Sequence, residues 1–420
     1  MPGRDPSLRG QEIVLSCHLD HLLPGANDNA SGCAAILEVA RGLAVAVRGG
    51  RIERPRRSIR FIWPPEIEGT IALLNARRDL AARARAVIHM DMVGGNPAVT
   101  KAIFHVTRSP ASLPTFVNDV AEAFGRFVND QSAALASGQD APYALADPEG
   151  GREAQLAEIA DFSMGSDHQV WTEGSFRVPA IYLNDWPDRY IHTHADQVSN
   201  IDPTKLKRAA FIGAASALYL ADLDAGRVAG LWEVIRRNGL RRVARALERS
   251  DLLAAKDPID AGNILRFAVD RERAIVSSIE SFTAVPAAVR AAAATHLDTL
   301  RRLLAGARHE QADTARSGGP IGAVVYRRSA EPRGPMEGFG YSYLEDRLER
   351  LGLEKPGLLG YQGRWGGGEE YAYEALNLVD GARSVSQIRD TLAAVYGPVP
   401  LSLVAGYLDA LQKIGILGRR

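Results

Sequence analysis

The sequence is short of three things, and each shortage narrows what the chain can be. Cysteine occurs only at positions 17 and 33 of 420 residues. One possible pair cannot build a disulfide framework, so a reducing compartment is expected. Net charge is absent: 50 lysines and arginines balance 50 aspartates and glutamates. No global field then draws the protein to nucleic acid or a membrane surface, and any partner must be recognised locally. Long apolar runs are missing too. No stretch approaches the ~20 apolar residues of a membrane span, and Met1-Pro2-Gly3-Arg4-Asp5-Pro6 lacks the apolar segment of a signal peptide. A soluble, cytoplasmic protein is expected, with neither membrane nor nucleic acid as partner. There is no internal repeat, and the length suffices for two or three domains with cores of their own.

From Glu12 to about Asp222 short apolar runs alternate with helical stretches, which predicts an α/β layered domain over 1–222. Strands are expected at Ile13 to Cys17, Ile59 to Trp63, Ala86 to Met90 and Ala180 to Leu183. A helix from Ala30 to about Val47, apolar at Ile36, Leu37, Val39, Ala40 and Leu43, joins the first two and stops at Gly49-Gly50. Beyond Asp222 the composition turns to alanine, arginine and leucine at helical spacing, and 223–335 reads as a helical extension followed by a polar linker from Glu310 to Pro335. The remainder, 336–420, reads as a small C-terminal domain. It holds helices at Tyr373 to Val379, Ser386 to Tyr396 and Leu401 to Ile414.

The chemistry gathers beside turns. His18 and Asp20 point the same way from an extended strand end, so Asp20 is placed to orient a metal-bound imidazole; His21 is a less well-placed competitor. Asp28 lies in a polar turn among the small residues Gly25, Ala26, Ala30, Ser31 and Gly32, which give room for a bridging carboxylate, although an isolated Asn27-Asp28-Asn29 is as readily a helix cap. Glu66 follows Trp63-Pro64-Pro65 at a sharply stopped strand and is the candidate general base, with Glu68 the alternative. Asp91 sits in an apolar strand end, where an unpaired carboxylate is costly. His192 follows the fourth strand, with Asp196 near enough to orient it. His194 is expected to face solvent. Ser166-Asp167-His168 are adjacent and therefore cannot stack into a triad; Asp167 and His168 are expected behind the ligands or beside the substrate. In open α/β sheets ligands bind beyond the carboxyl ends of the strands, and His18, Glu66 and Asp91 all fall there.

With these residues in place, 12 to about 210 resembles the co-catalytic di-zinc aminopeptidase family, relatives of bacterial leucyl aminopeptidases and of glutamate carboxypeptidase. The likeness rests on His18-Leu19-Asp20, Pro24 to Gly32, Asp91-Met92-Val93-Gly94, Ser166-Asp167-His168 and Ile191-His192-Thr193 with Asp196. It implies a sheet layered between helices on both faces and a zinc exopeptidase acting on peptides or small amides. Asp28 would bridge two ions, His18 and Asp91 would complete one site, and His192 would serve the other. Two departures stand out. The family usually has two successive glutamates, base then ligand, and aligned on Trp63 and Gly69 this chain has Glu66 and then Ile67, which coordinates nothing. Either Glu66 or Glu68 then serves the metals, or the second ion is weak. Only about a dozen residues precede the first strand, so a sheet edge is expected to be missing or supplied otherwise.

Two rival readings remain. One is a single-zinc glutaminyl-cyclase-like or other amide hydrolase, against which the intact His18 and Asp91 count. The other is a degenerate, non-catalytic peptide-binding protein. The C-terminal helices look like a winged-helix module, yet Leu401 to Ile414 carries only Lys413, whereas DNA reading wants a basic helix. A protein or peptide contact, or packing on the enzyme domain, is the expectation there.

Overall fold

The computed structural model describes residues 1–306, 318–338 and 341–420. Strand β1 (Glu12–Ser16) is buried along its whole length, because an apolar run without polar alternation suits a central strand covered on both faces. It pairs in parallel with β2 (Ser58–Ile62) and β3 (Ala84–Asp91). With β4 (Ile103–Thr107), β5 (Glu158–Ala160) and β6 (Ala180–Trp186) these make a six-stranded sheet of order β2-β1-β3-β6-β4-β5, in which only the β4–β6 pairing is antiparallel. The edges are β2 and β5. Neither β4 nor β5 stands out in the sequence: β4 leaves Ile103 exposed, and β5 is three residues long.

Helices cover both faces of the sheet. On one, α1 (Gly32–Arg48), α3 (Val117–Ala136) and α4 (Pro203–Asp222) pack on Ile13, Leu15, Ile88 and Met90. On the other, α2 (Glu68–Ala76) and the segment of Val170 and Trp171 cover Val14 and Val87. The α1 face is that read from the sequence except at Leu37, which is 62% exposed. The stretch Ala26–Arg48 is more apolar than expected: its best window has a mean hydropathy of 1.6, enough for a membrane span by length and composition. Here Ile36, Val39 and Leu43 are instead buried on the sheet as part of the main core.

Cys17 and Cys33 pair as a disulfide with Cα atoms 5.6 Å apart. The expectation of a reducing compartment rested on the lack of a disulfide framework, and this pair removes that ground.

The helices after the sheet, α5 (Val228–Ala254), α6 (Pro258–Ser278) and α7 (Ala287–Gly306), are not a separate layer. Leu231, Trp232, Ile235, Ile275 and Ile279 join the main core. Buried Arg242 of α5 binds Asp119 of α3 at 2.6 Å and Glu272 of α6 at 2.7 Å. Part of the expected linker, 310–317, lies outside the described residues. The rest is more ordered than a linker, since it includes strand β7 (Tyr326–Arg328), which pairs antiparallel with β8 (Leu417–Arg419). With α8 (Glu370–Asn377), α9 (Val385–Tyr396) and α10 (Leu401–Lys413) these strands enclose a second core built on Tyr371, Ile388, Leu392, Tyr407 and Leu411. A Ser384–Gln387 capping box starts α9. Arg389 of α9 grips Asp260 of α6 through two hydrogen bonds of 2.6 and 2.7 Å, so the C-terminal unit is bound to the rest by a buried ion pair.

Candidate metal centre

The register of the sheet builds the first half of the site. Ser16 of β1 lies opposite His89 of β3, and two residues further along each strand, on the same face, come His18 and Asp91. His18 Nε2 is 3.3 Å from Asp91 Oδ1. Both atoms are buried and make no hydrogen bond of good geometry; in the metal-free protein they answer each other only as an ion pair, and both converge on a point that a cation could occupy. Glu66, just beyond β2, completes this trio, whose ligand atoms all lie within 4.8 Å of one another.

A relay not foreseen from sequence holds Asp91. Ser166 donates to Asp91 Oδ2 at 2.7 Å, His89 Nε2 meets Ser166 Oγ at 2.8 Å, and Ser16 Oγ meets His89 Nδ1 at 3.0 Å. With its proton given to the carboxylate, Ser166 accepts from His89. Burial pushes the His89 pKa well below the usual range, so the ring is neutral. The signal was present in the sequence as a histidine two residues before an aspartate in an apolar strand.

Asp28 is the hinge between the two halves. Its Oδ1 is 3.2 Å from His18 Nε2, and its Oδ2 is 3.3 Å from His21 Nε2 and 3.1 Å from His192 Nε2. His21, Asp28 and His192 form a second compact trio. Asp28 leaves the helical path (φ −106°, ψ 93°), and the capping falls to its neighbour: Asn29 Oδ1 accepts from Gly32 at 3.0 Å and Met92 at 3.2 Å. The small residues serve this stitching. A Cβ on Gly32 would lie 2.2 Å from Met90 O, and one on Gly25 1.9 Å from Asp28 O, so both glycines allow backbone to touch backbone. Asn27, also unforeseen, donates to Asp188 at 2.9 Å and accepts from Gly94 at 2.9 Å.

Several sequence expectations change place. His21, taken as the weaker competitor, sits at the centre. Glu68 is exposed in the first turn of α2 and outside both trios, while Glu66 stays. Ile67 is 2% exposed in the apolar cluster of Val14, Leu74, Val170 and Trp171, so its position turns away from the ligands. The Asp20 carboxylate does not orient His18. Its Oδ1 is 3.7 Å from Nδ1, and the backbone carbonyl of Asp20 takes that role at 3.0 Å. The carboxylate accepts the Glu66 N–H at 2.8 Å instead. Asp196 likewise supports the Asp28 turn, accepting from Asn27 at 2.9 Å and Asp28 at 2.9 Å. Asp167 accepts the Ile67 N–H at 2.7 Å. His168 stacks on Tyr182 with ring centres 4.1 Å apart. His194 is exposed.

The electrostatics follow from burial against charge. Burial raises the Glu66 pKa to about 8, with Asp91 and Asp28 adding to the shift and His18 opposing it. Burial also raises Asp167, to about 7. For His18 burial acts downward, but Asp91 and Asp28 outweigh it and push the pKa up to about 12. Asp28 would be raised by burial, yet its three histidines hold it below the usual range. The trios open on a cavity of about 560 Å³ walled by Met92, Met164, Tyr182, Trp186 and Ile191, with carboxylates and imidazoles on one side and apolar surface on the other. That is the form of a site that binds a small ligand.

Residues 1–217 match the model of peptidase family M28; this is more than half of the chain, and the chain belongs to that family. No curated protein matches it significantly. Among solved structures it is similar to the aminopeptidase from Aneurinibacillus sp. strain AM-1, with 23% identity over 52% of this chain and 46% of that one and a TM-score of 0.37. It is also similar to the Legionella pneumophila aminopeptidase LapA, with 20% identity, 51% and 53% coverage and a TM-score of 0.37. For the Bacillus subtilis zinc aminopeptidase BSAP the values are 20%, 51%, 48% and 0.36. The chain spans about half the length of these structures.

Proposed function

We propose that this member of peptidase family M28 is a metal-dependent exopeptidase of the aminopeptidase type, binding two zinc ions and trimming short peptides. One observation carries the reading: the two oxygens of Asp28 face different donor sets, His18 on one side and His21 with His192 on the other. One ion would lie among His18, Asp91 and Asp28, the other among His21, His192 and Asp28. His21 then stands in for the glutamate that Ile67 displaced, and a neutral imidazole replaces an anionic ligand. Imidazole is a normal zinc donor.

Bound zinc ions would supply Lewis acidity toward a water and toward the scissile carbonyl. Glu66 takes a proton from the attacking water and returns it to the leaving amine. Its backbone is fixed by Asp20 for that purpose; burial raises its carboxyl in the metal-free protein, and cations bound beside it would draw it back to the ionised form a base needs. The Ser16–His89–Ser166 relay keeps Asp91 aimed. Against a single-zinc cyclase reading stands the complete second trio. We also read the C-terminal unit as winged-helix-like from its three helices and the β7–β8 ribbon, with its role here being contact with the enzyme domain.

Elemental analysis and amino-acid release from short peptides test the proposal. Two zinc per chain, chelator-sensitive release and loss of one zinc in His21→Ala are expected. Release indifferent to chelation overturns it.

A further inference from the structure

One wall of the cavity is not supplied by the peptidase domain. Glu370, the first residue of α8 in the C-terminal unit, lines the same cavity as Asp28, Glu66, Asp91 and His192. Its carboxylate accepts one neutral hydrogen bond, from Met164 N–H at 3.0 Å. Among the described residues no lysine, arginine or histidine pairs with it. The acid beside it, Asp161 of the peptidase domain, is different, for it has one oxygen 3.2 Å from Arg108 and the other 3.1 Å from Arg249 and is already neutralised. Of these two acids only Glu370 faces the cavity with no cationic partner among the described residues.

Its position is fixed rather than incidental. Tyr373, one turn along α8, donates to Gln169 O at 2.7 Å, meets Thr172 Oγ1 at 2.8 Å and stacks on Phe162 with ring centres 5.1 Å apart. Glu374 accepts the Ser112 N–H at 3.1 Å. Arg328 pairs with Glu173. Tyr373 and Arg328 thus clamp this face of the C-terminal unit to the segment carrying Met164, and Glu374 ties it to the loop of Ser112. Burial pushes the Glu370 carboxyl above its usual range, opposed only in part by the backbone N–H groups of Met164 and of Glu370 itself at the start of the helix. A fixed, half-buried anion with no cation is costly to retain unless a ligand brings the opposite charge.

Resting on the exopeptidase reading, we infer that Glu370 binds a cationic ammonium group of the peptide substrate, so that the C-terminal unit supplies a specificity determinant of the active site. The ammonium is either the substrate's free α-amine or a lysine side chain, and the apolar wall of Met164, Trp186 and Ile191 takes the rest of the residue.

Glu370→Gln keeps the Met164 hydrogen bond and removes only the charge. Kinetics on leucine and lysine p-nitroanilides, with their N-acetyl forms as controls, are expected to show KM raised tenfold or more with kcat nearly unchanged and the melting temperature intact. Equal loss for both substrates identifies the α-amine, and loss for lysine alone identifies the side chain. An unchanged KM for both overturns the inference. Calorimetric binding of leucinamide and of lysinamide to the zinc-loaded wild type and variant separates this from the hydrolase reading. Weaker binding of either amide by the variant upholds Glu370 even if no peptide is cleaved, and equal binding of both by the two proteins rejects it.

Discussion

The two halves of the metal centre are built by different means. His18 and Asp91 stand side by side because two parallel strands are in register, and Asp91 is held by a buried relay through Ser166, His89 and Ser16. His21 and His192 come from loops. His21 is 17% exposed and His192 51%, against 2% for His18 and 4% for Asp91. Under the proposed two-ion reading, this difference sets which ligands could be exchanged. A ligand on a strand end is committed by register, whereas a loop can bring a histidine from elsewhere to fill a lost position.

The largest expected effect comes from the residue both halves share. Asp28→Ala should empty both, with zinc content falling toward zero and turnover dropping on the order of 10³-fold or more, since metal activation is worth several kcal/mol at 1.36 kcal/mol per tenfold. One zinc held with undiminished affinity would show that the halves are independent. Next is Ile67→Glu, which writes the family's usual residue back. Because Ile67 is packed in an apolar cluster, the change should cost about 3 kcal/mol of stability, a little over a hundredfold in the folding equilibrium, rather than add a ligand. Chemical denaturation checks this, and a variant of full stability with tighter zinc would break the comparison.

Ser166→Ala acts on the buried half alone. Leaving the Asp91 carboxylate without its donor should weaken one zinc by roughly 10- to 100-fold, read by competition with a chelating dye, while the loop half keeps its affinity. The smallest effect is in pH. His18 holds its proton far above neutrality in the metal-free protein, and a cation must displace that proton. Affinity at the buried half should therefore fall about tenfold for each unit of pH lowered through the neutral range. Calorimetry in buffers of different ionisation enthalpy would record the released proton, and binding without proton release would remove His18 from the ligand set.

The same contrast explains what could be read in the sequence. Strands β1, β3 and β6 were legible because buried parallel strands read as apolar runs, and β2, an edge strand with only Ile59 buried, showed through its apolar Phe61, Ile62 and Trp63; with them came His18, Glu66 and Asp91 at their ends. The loop half was legible only in part. Asp28 and His192 carry motif-like surroundings, but His21 reads only as a weaker competitor to a better-placed histidine, and only the path of the chain brings it to Asp28. Asp20 and Asp196 show the same limit from the other side: spacing placed each near its histidine, yet backbone N–H groups closer by claimed both carboxylates. Glu370 was beyond reach, since nothing local relates it to a site whose last ligand precedes it by more than 170 residues.

The Cys17–Cys33 bridge has a further consequence. Its ends are 16 positions apart, and His18, Asp20, His21 and Asp28 all lie between them. Closing a ring of that size withholds about 3 kcal/mol of chain freedom from the denatured ensemble. An oxidised chain that melts therefore does not scatter these four side chains. They stay corralled in one small macrocycle, and refolding begins with half of the chelating groups already within a few residues' reach of each other.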